Sequence, residues 1–177
     1  MRSADIVIRD ATEEDRKSFI QVLLDAYKQY ADELPGPQWE QYKEALGASF
    51  DEGKPIGRIV ATLEGRIVGS VQLFASSAEA YGRPELGIHN PIIRYLAVSP
   101  EARGRGIAAL LIKEAVRRSR ALGAKQLNLH TSDMMDSAVR LYERLGFERA
   151  YETDLYNGDT LVKGFRIGLY EAAHRKK

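Results

Sequence analysis

Residues 92–111, IIRYLAVSPEARGRGIAALL, limit the folds open to this chain more than any other stretch. From Ile92 to Val98 only Arg94 is polar, a run that suits a central strand covered on both faces. Ser99-Pro100 ends it. The turn Arg103-Gly104-Arg105-Gly106-Ile107-Ala108 then opens a helix whose apolar residues recur at Ile107, Leu111, Ala115 and Leu122. A further strand follows over residues 126–130, and strand, helix and strand in that order imply a parallel pair joined by a right-handed crossover.

The turn is built to meet an anion. The first amides of a helix have no intrahelical acceptor, the helix dipole adds about half a positive charge at that end, and Arg103 and Arg105 stand beside it. Gly104 and Gly106 let a ligand approach the backbone closely. A solvated basic turn that merely caps a helix is the plainest reading. A dinucleotide fingerprint is a second, since Gly104, Gly106 and Ala109 match G-x-G-x-x-G/A. Its context fails, because five residues separate Val98 from Gly104 and the next strand ends in Leu129-His130 without an acid.

The 177 residues, 44% of them hydrophobic, suit one packed domain over 1–177. With 26 basic and 25 acidic residues the net charge is +1, so no global field draws the chain to nucleic acid or to an anionic membrane. The absence of cysteine excludes disulfides, thiolate metal sites and cysteine nucleophiles. His89, His130 and His174 are scattered, so no metal site is expected. No apolar run reaches the roughly 20 residues of a membrane span, and the N-terminus lacks a signal core; a cytoplasmic protein is expected.

Ile6-Val7-Ile8 reads as a first strand, and Thr12-Glu13-Glu14-Asp15 as the start of a helix bearing Phe19, Val22, Leu23, Ala26, Tyr27 and Tyr30. After Pro35-Gly36-Pro37 a second helix runs over about residues 38–50. Residues 59–63 and 67–74 form antiparallel strands joined at Glu64-Gly65, and residues 76–91 a long connection holding Tyr81, Glu85 and His89. Gly123 stops the helix after the turn. Ser132 or Asp133 caps another, with Met134, Ala138, Leu141, Tyr142 and Leu145 buried and Gly146 as its stop. A strand from Phe147 to about Tyr156 turns at Asn157-Gly158 and returns over residues 161–169.

Two motifs together carry a resemblance. Arg103, Gly106 and Ala108 fill the fixed places of Q/R-x-x-G-x-G/A after L-A-V-S-P, and SAVRLYERLGF, residues 137–147, looks like A-x-x-L-Y-x-x-x-G-F. The chain thereby resembles the GNAT superfamily of acetyl-CoA-dependent N-acetyltransferases, most strongly over residues 92–147. The resemblance implies an α/β single-domain fold: a mixed central sheet of about seven strands flanked by about four helices, with two splayed parallel central strands.

It also implies roles. Acetyl-CoA is the co-substrate. Its diphosphate is expected on Arg103, Gly104, Arg105, Gly106, Ile107 and Ala108, and its pantetheine arm along Leu96, Ala97 and Val98, with Ser137 and Tyr142 as further contacts. One strand N–H would polarise the thioester carbonyl, and Tyr142 would protonate the departing thiolate as general acid. Residues 1–50 would form the acceptor side, with Tyr27, Tyr30, Trp39 and Tyr81 as acceptor contacts for a primary amine. Many relatives carry a glutamate base where Ile92 stands here, so the base is left among Glu85, His89, His130 and a water chain. Direct transfer in a ternary complex is the expected reaction. A non-catalytic acyl-CoA-binding or sensing module is the alternative, and self-association as a homodimer stays open.

Overall fold

The computed structural model describes residues 5–33, 36–132, 136–157 and 159–169. In chain order the elements are β1 (Ile6–Asp10), α1 (Arg16–Tyr27), α2 (Gly36–Ala48), β2 (Gly57–Leu63), β3 (Arg66–Phe74), α3 (Ser77–Tyr81), β4 (Ile92–Val98), α4 (Ile107–Ala121), β5 (Gln126–Ser132), α5 (Asp136–Arg144), β6 (Glu148–Arg149), β7 (Leu155–Asn157) and β8 (Thr160–Gly168). The strands follow the hydrogen-bonded order β1-β2-β3-β4-β5-β8-β6, with β7 also on β8. The expected mixed α/β fold is therefore present, with parallel pairing between β4 and β5 and antiparallel pairing at β1–β2, β2–β3 and β5–β8. Residues 1–73 with 95–112 form one compact unit, and residues 74–94 with 113–177 another.

In the first unit the β2–β3 hairpin closes through Glu64 and Gly65, both at positive φ (+53° and +80°), as a two-residue turn of the primed kind requires. The register then slips: Ala61 faces Gly69 whereas Thr62 faces Ile67, so Val68 is an extra residue in β3. Gly69, beside this bulge, is a point of close approach. A Cβ there would stand 2.9 Å from Ile107 Cγ2, 3.1 Å from Leu111 Cδ1 and 3.2 Å from the Ala97 carbonyl oxygen. On the helical side Phe19, Val22, Leu23 and Ala26 of α1 cluster with Leu46, Phe50, Val60 and Ala97.

Helix α1 is entered through a 3-10 turn, Glu13–Asp15, rather than directly from Thr12. Asp15 organises that entry: it accepts the Thr12 backbone N–H at 2.7 Å and the Arg9 guanidinium at 2.7 and 3.1 Å. The Arg9 hydrogen bonds hold its carboxyl at about 2, against an ordinary 3.8, despite the opposing effect of burial.

In the second unit the connection over residues 76–91 is itself folded. Ser76 caps α3, its hydroxyl accepting from the Glu79 N–H at 3.4 Å, and Gly82 ends the helix at φ +65°. Phe74, Ala80, Ile88 and Ile92 pack into an apolar cluster. Strand β5 pairs with β8 along its length, from Gln126↔Gly168 to Ser132↔Val162. The stop after α4 is a glycine closure, with the Ala124 N–H reaching the Ser119 carbonyl at 3.1 Å; that after α5 is alike, Phe147 N–H to Tyr142 carbonyl at 3.0 Å.

Two expectations change. Leu122 does not join the buried stripe of α4: the helix ends at Ala121, the closure turns Leu122 outwards to 64% exposure, and Ser119 occupies the buried place. The strand read from Phe147 to Tyr156 is broken into β6 and β7 by a 3-10 turn, Tyr151–Thr153. Gly164 makes room for that turn, since a Cβ there would collide with the Thr153 hydroxyl and come within 3.0 Å of the Ala150 carbonyl. Arg149 and Asp154 clamp its ends through paired hydrogen bonds of 2.7 and 2.8 Å. The expected cap of α5 at Ser132 or Asp133, Met134 in its stripe, and Gly158 of the hairpin lie outside the described residues or side chains.

Two outcomes follow from these contacts. Gly69→Ala should overpack the β3–α4 contact and lower stability by about 1–3 kcal/mol, read as a shifted urea midpoint; an unshifted midpoint would show that the contact yields freely. Asp15 has a depressed folded-state pKa, so its contribution is complete above about 3.8 and disappears as pH falls through about 2. The stability gap between wild type and Asp15→Asn should thus be widest at neutral pH and shrink below pH 4, whereas a pH-independent gap would rule out the ionised pair as its source.

Candidate active site

The glycine turn is built in the first unit. Ser99 N–H donates to the Val68 carbonyl at 2.8 Å, a 3-10 turn over Pro100–Ala102 follows, and Gly104 and Gly106 then take φ of +83° and +75°. A Cβ at either glycine would meet nothing within 4 Å, so glycine is needed for the left-handed backbone and not for lack of room. The first hydrogen bond of α4 runs from Leu110 N–H to the Gly106 carbonyl at 3.1 Å, so the preceding amides have no intrahelical acceptor. Both glycines and Arg105 are exposed, Ile107 is buried and Ala108 half-buried. Arg103 is turned elsewhere: it donates to Gln29 Oε1 at 2.9 Å and to the Ala26 carbonyl at 3.4 Å, tying the turn to the end of α1.

Strand β4 is irregular where the turn's partner groups are expected. Tyr95 sits at φ +58°, a left-handed conformation that is unusual for an aromatic residue. Ile92, Ile93 and Ala97 are buried, but Tyr95, Leu96 and Val98 are only half-buried, so the two-sided cover read from the sequence is incomplete at the strand's middle. The Leu96 carbonyl accepts the Tyr27 hydroxyl at 3.0 Å. Tyr27 in turn meets Tyr42 edge-on at 5.7 Å, and Trp39 lies 6.3 Å from Tyr42, an aromatic row on α1 and α2. The side chains of Tyr30 and Ser137 lie outside the described residues.

The remaining candidates lie in the second unit. Tyr142 is 7% exposed, its ring 5.9 Å from that of Phe147. Ile92 is fully buried in the apolar cluster with Phe74, Ala80 and Ile88, an environment in which a carboxylate would be strongly disfavoured. Glu85 is exposed and paired with Arg83 at 3.2 Å; its own backbone and Arg83 hold its pKa below the ordinary value. His89 is exposed.

His130 is different. Its Nε2 lies 2.7 Å from the Thr153 carbonyl and its Nδ1 2.9 Å from the Tyr81 hydroxyl. Burial pushes its pKa down, opposed by the Thr153 hydrogen bond and by Asp154, and reinforced by Arg94. Arg94, the lone polar residue of β4, donates to the Ala80 carbonyl at 2.6 Å and lies 4.8 Å over the Tyr81 ring. Sequence reasoning singled out Tyr81 and His130 for separate roles and missed Arg94 and Thr153. A charge in an otherwise apolar strand was the one available signal. Among the described residues no cluster of His, Cys, Asp or Glu could hold a metal ion, and no helix is long and apolar enough to cross a membrane.

The sequence profile of the acetyltransferase (GNAT) family matches residues 17–147, and the chain belongs to that family. A mouse (Mus musculus) relative named probable N-acetyltransferase family 8 member 5 is 32% identical over 104 residues, 59% of this chain and 42% of that protein. N-acetyltransferase 8B of Rattus norvegicus is 29% identical over 124 residues, 66% of this chain and 54% of that protein. The chain thus spans about half the length of these curated relatives. In fold it is similar to the PaiA N-acetyltransferase of Thermoplasma acidophilum, solved in complex with coenzyme A, with a TM-score of 0.67 at 15% identity over 93% of this chain and 99% of that one.

Proposed function

We propose that this acetyltransferase-family chain moves an acetyl group from acetyl-CoA to a primary amine by direct transfer in a ternary complex. The observation that carries the reading is the turn over residues 103–108, where two left-handed glycines open α4 with its first amides exposed beside Arg105. Such a nest of N–H groups at a helix start suits a diphosphate. Arg103 has a bracing role in this reading, because its guanidinium is engaged by Gln29 and the Ala26 carbonyl.

The irregular β4 supports the second half of the reading. Leu96, Ala97 and Val98 offer backbone groups to the amide-bearing arm of the co-substrate, and the left-handed Tyr95 reorients the N–H groups around it. A fixed N–H aimed at the thioester oxygen stabilises the oxyanion as the amine attacks, a contribution of about 3 kcal/mol. The carbonyl–sulfur bond then breaks, the sulfur takes a proton, and the surplus proton on the new amide nitrogen restores the donor. Tyr142 supplies the sulfur's proton: a thiol of pKa near ~8.5 leaves more readily when a phenol donor is at hand. Tyr27 and the aromatic row with Trp39 and Tyr42 form an acceptor wall whose ring faces suit a cationic amine.

Acetyl-CoA should raise the melting temperature while NAD leaves it unchanged; at ligand 100-fold above Kd the gain corresponds to about 2.7 kcal/mol. Arg105→Glu should weaken that binding. Equal shifts with both ligands, or undiminished affinity in the variant, would count against the diphosphate site, and binding without turnover on amino acids, polyamines, aminoglycosides, arylamines and peptides would favour an acyl-CoA sensor.

Tyr142→Phe keeps the packing against Phe147 and deletes only the proton donor, so kcat should fall about 100-fold with acetyl-CoA affinity retained. An unchanged kcat would remove the phenol from the chemistry.

A further inference from the structure

Amine acetylation needs a proton acceptor, because an alkylammonium with a pKa near ~10.4 is almost wholly protonated at neutral pH and cannot attack. Ile92, sealed in its apolar cluster, cannot supply one. A candidate relay lies instead on α3 and β5. The Thr153 carbonyl can only accept, so the Nε2 facing it at 2.7 Å carries a proton. In the neutral ring, which burial favours, Nδ1 is then a lone pair, and the Tyr81 hydroxyl at 2.9 Å donates to it.

Both partners are fixed from several sides. The rings of Tyr81 and His130 meet edge-to-face at 5.2 Å, and Arg94 covers the Tyr81 face while fastening the Ala80 carbonyl. Of the charges that face His130, Asp154 favours its cation and Arg94 opposes it, and Asp154 is itself paired with Arg149. Tyr81 and His130 are each half-buried, so neither residue is sealed from solvent.

We propose that the Tyr81 hydroxyl is the catalytic group that receives the acceptor's proton, with His130 as the positioning residue behind it. The ammonium N–H bond breaks as an O–H bond forms at Tyr81 Oη; the original phenol proton passes to His130 Nδ1. The positive charge moves from ammonium to imidazolium, the phenol is regenerated, and the amine lone pair is freed for acyl transfer. Nε2 keeps its proton and its bond to Thr153 throughout. The assignment rests on the acetyl-transfer reading above.

The test uses the full chain and the amine that the wild type acetylates best. Tyr81→Phe and His130→Ala should each lower kcat at pH 7 by about 100-fold or more, leave acetyl-CoA affinity intact, and lose the ionisation limb that His130 sets on the acid side of an ordinary histidine, with the deficit narrowing towards pH 10 as free amine accumulates. Free imidazole should restore part of the His130→Ala activity. Nitrogen NMR of the free protein at pH 7 should find His130 neutral with its proton on Nε2. If His130→Ala does not fold, Tyr81→Phe, which keeps the ring beneath Arg94, and the NMR experiment decide alone. An intact limb in Tyr81→Phe, an Nδ1-protonated ring, or transfer of the effect to Glu85→Gln or His89→Ala would overturn the relay while leaving acetyl transfer standing. A wild type that turns over no amine would bring down both readings.

Discussion

Strand β4 carries two sets of contacts, one at its start and one at its end. At its start Ile92 lies opposite Asn128 in the parallel ladder, and the Asn128 N–H reaches back to the Pro91 carbonyl at 2.9 Å. At its end Ala97 is buried in the cluster beneath α1, and Ser99 hydrogen-bonds to Val68 of β3. Tyr95, between the two, takes a left-handed conformation with φ of +58°. A bulky residue held there costs about 1–3 kcal/mol and persists only where its surroundings over-determine it. Buried isoleucines before it and a buried alanine after it supply that determination.

The features most legible in the sequence were those set by backbone rules. The glycine turn, the helix stops at Gly123 and Gly146, and the Glu64-Gly65 hairpin each depend on a conformation that glycine adopts without strain, and each is found where glycine marks it. What escaped was decided by contacts remote in sequence. The break after β6 arises because Gly164 of β8, ten residues beyond Asp154, has no side chain to exclude Thr153. Leu122 carried the right period but fell just past a helix end. Helix α3 could have been read: Ser76 followed by Glu79 is the start of a capping box, hidden by the five-residue length of the helix.

The site divides along the same line. The glycine turn is continuous in sequence and so was legible, whereas the hydrogen bond that joins Tyr81 to His130 spans 49 residues and has no linear signature. Apolar Ile92 pointed away from a strand carboxylate, and the structure adds the reason, since its side chain completes the packing of Ala80 and Ile88. The same packing steadies α3, on which Tyr81 stands. An apolar residue at position 92 and a steadied α3 are thus two results of a single apolar cluster.

Gly164 extends this further. The Thr153 carbonyl that faces His130 Nε2 belongs to a turn held by Ala150, whose N–H donates to the Gly164 carbonyl at 2.8 Å and whose own carbonyl accepts both the Thr153 N–H and hydroxyl at 2.9 and 2.7 Å. That turn fits only because the facing residue has no Cβ. Gly164 bears no ionisable group, yet a single methyl on it would collide with Thr153, the residue whose carbonyl faces the His130 ring.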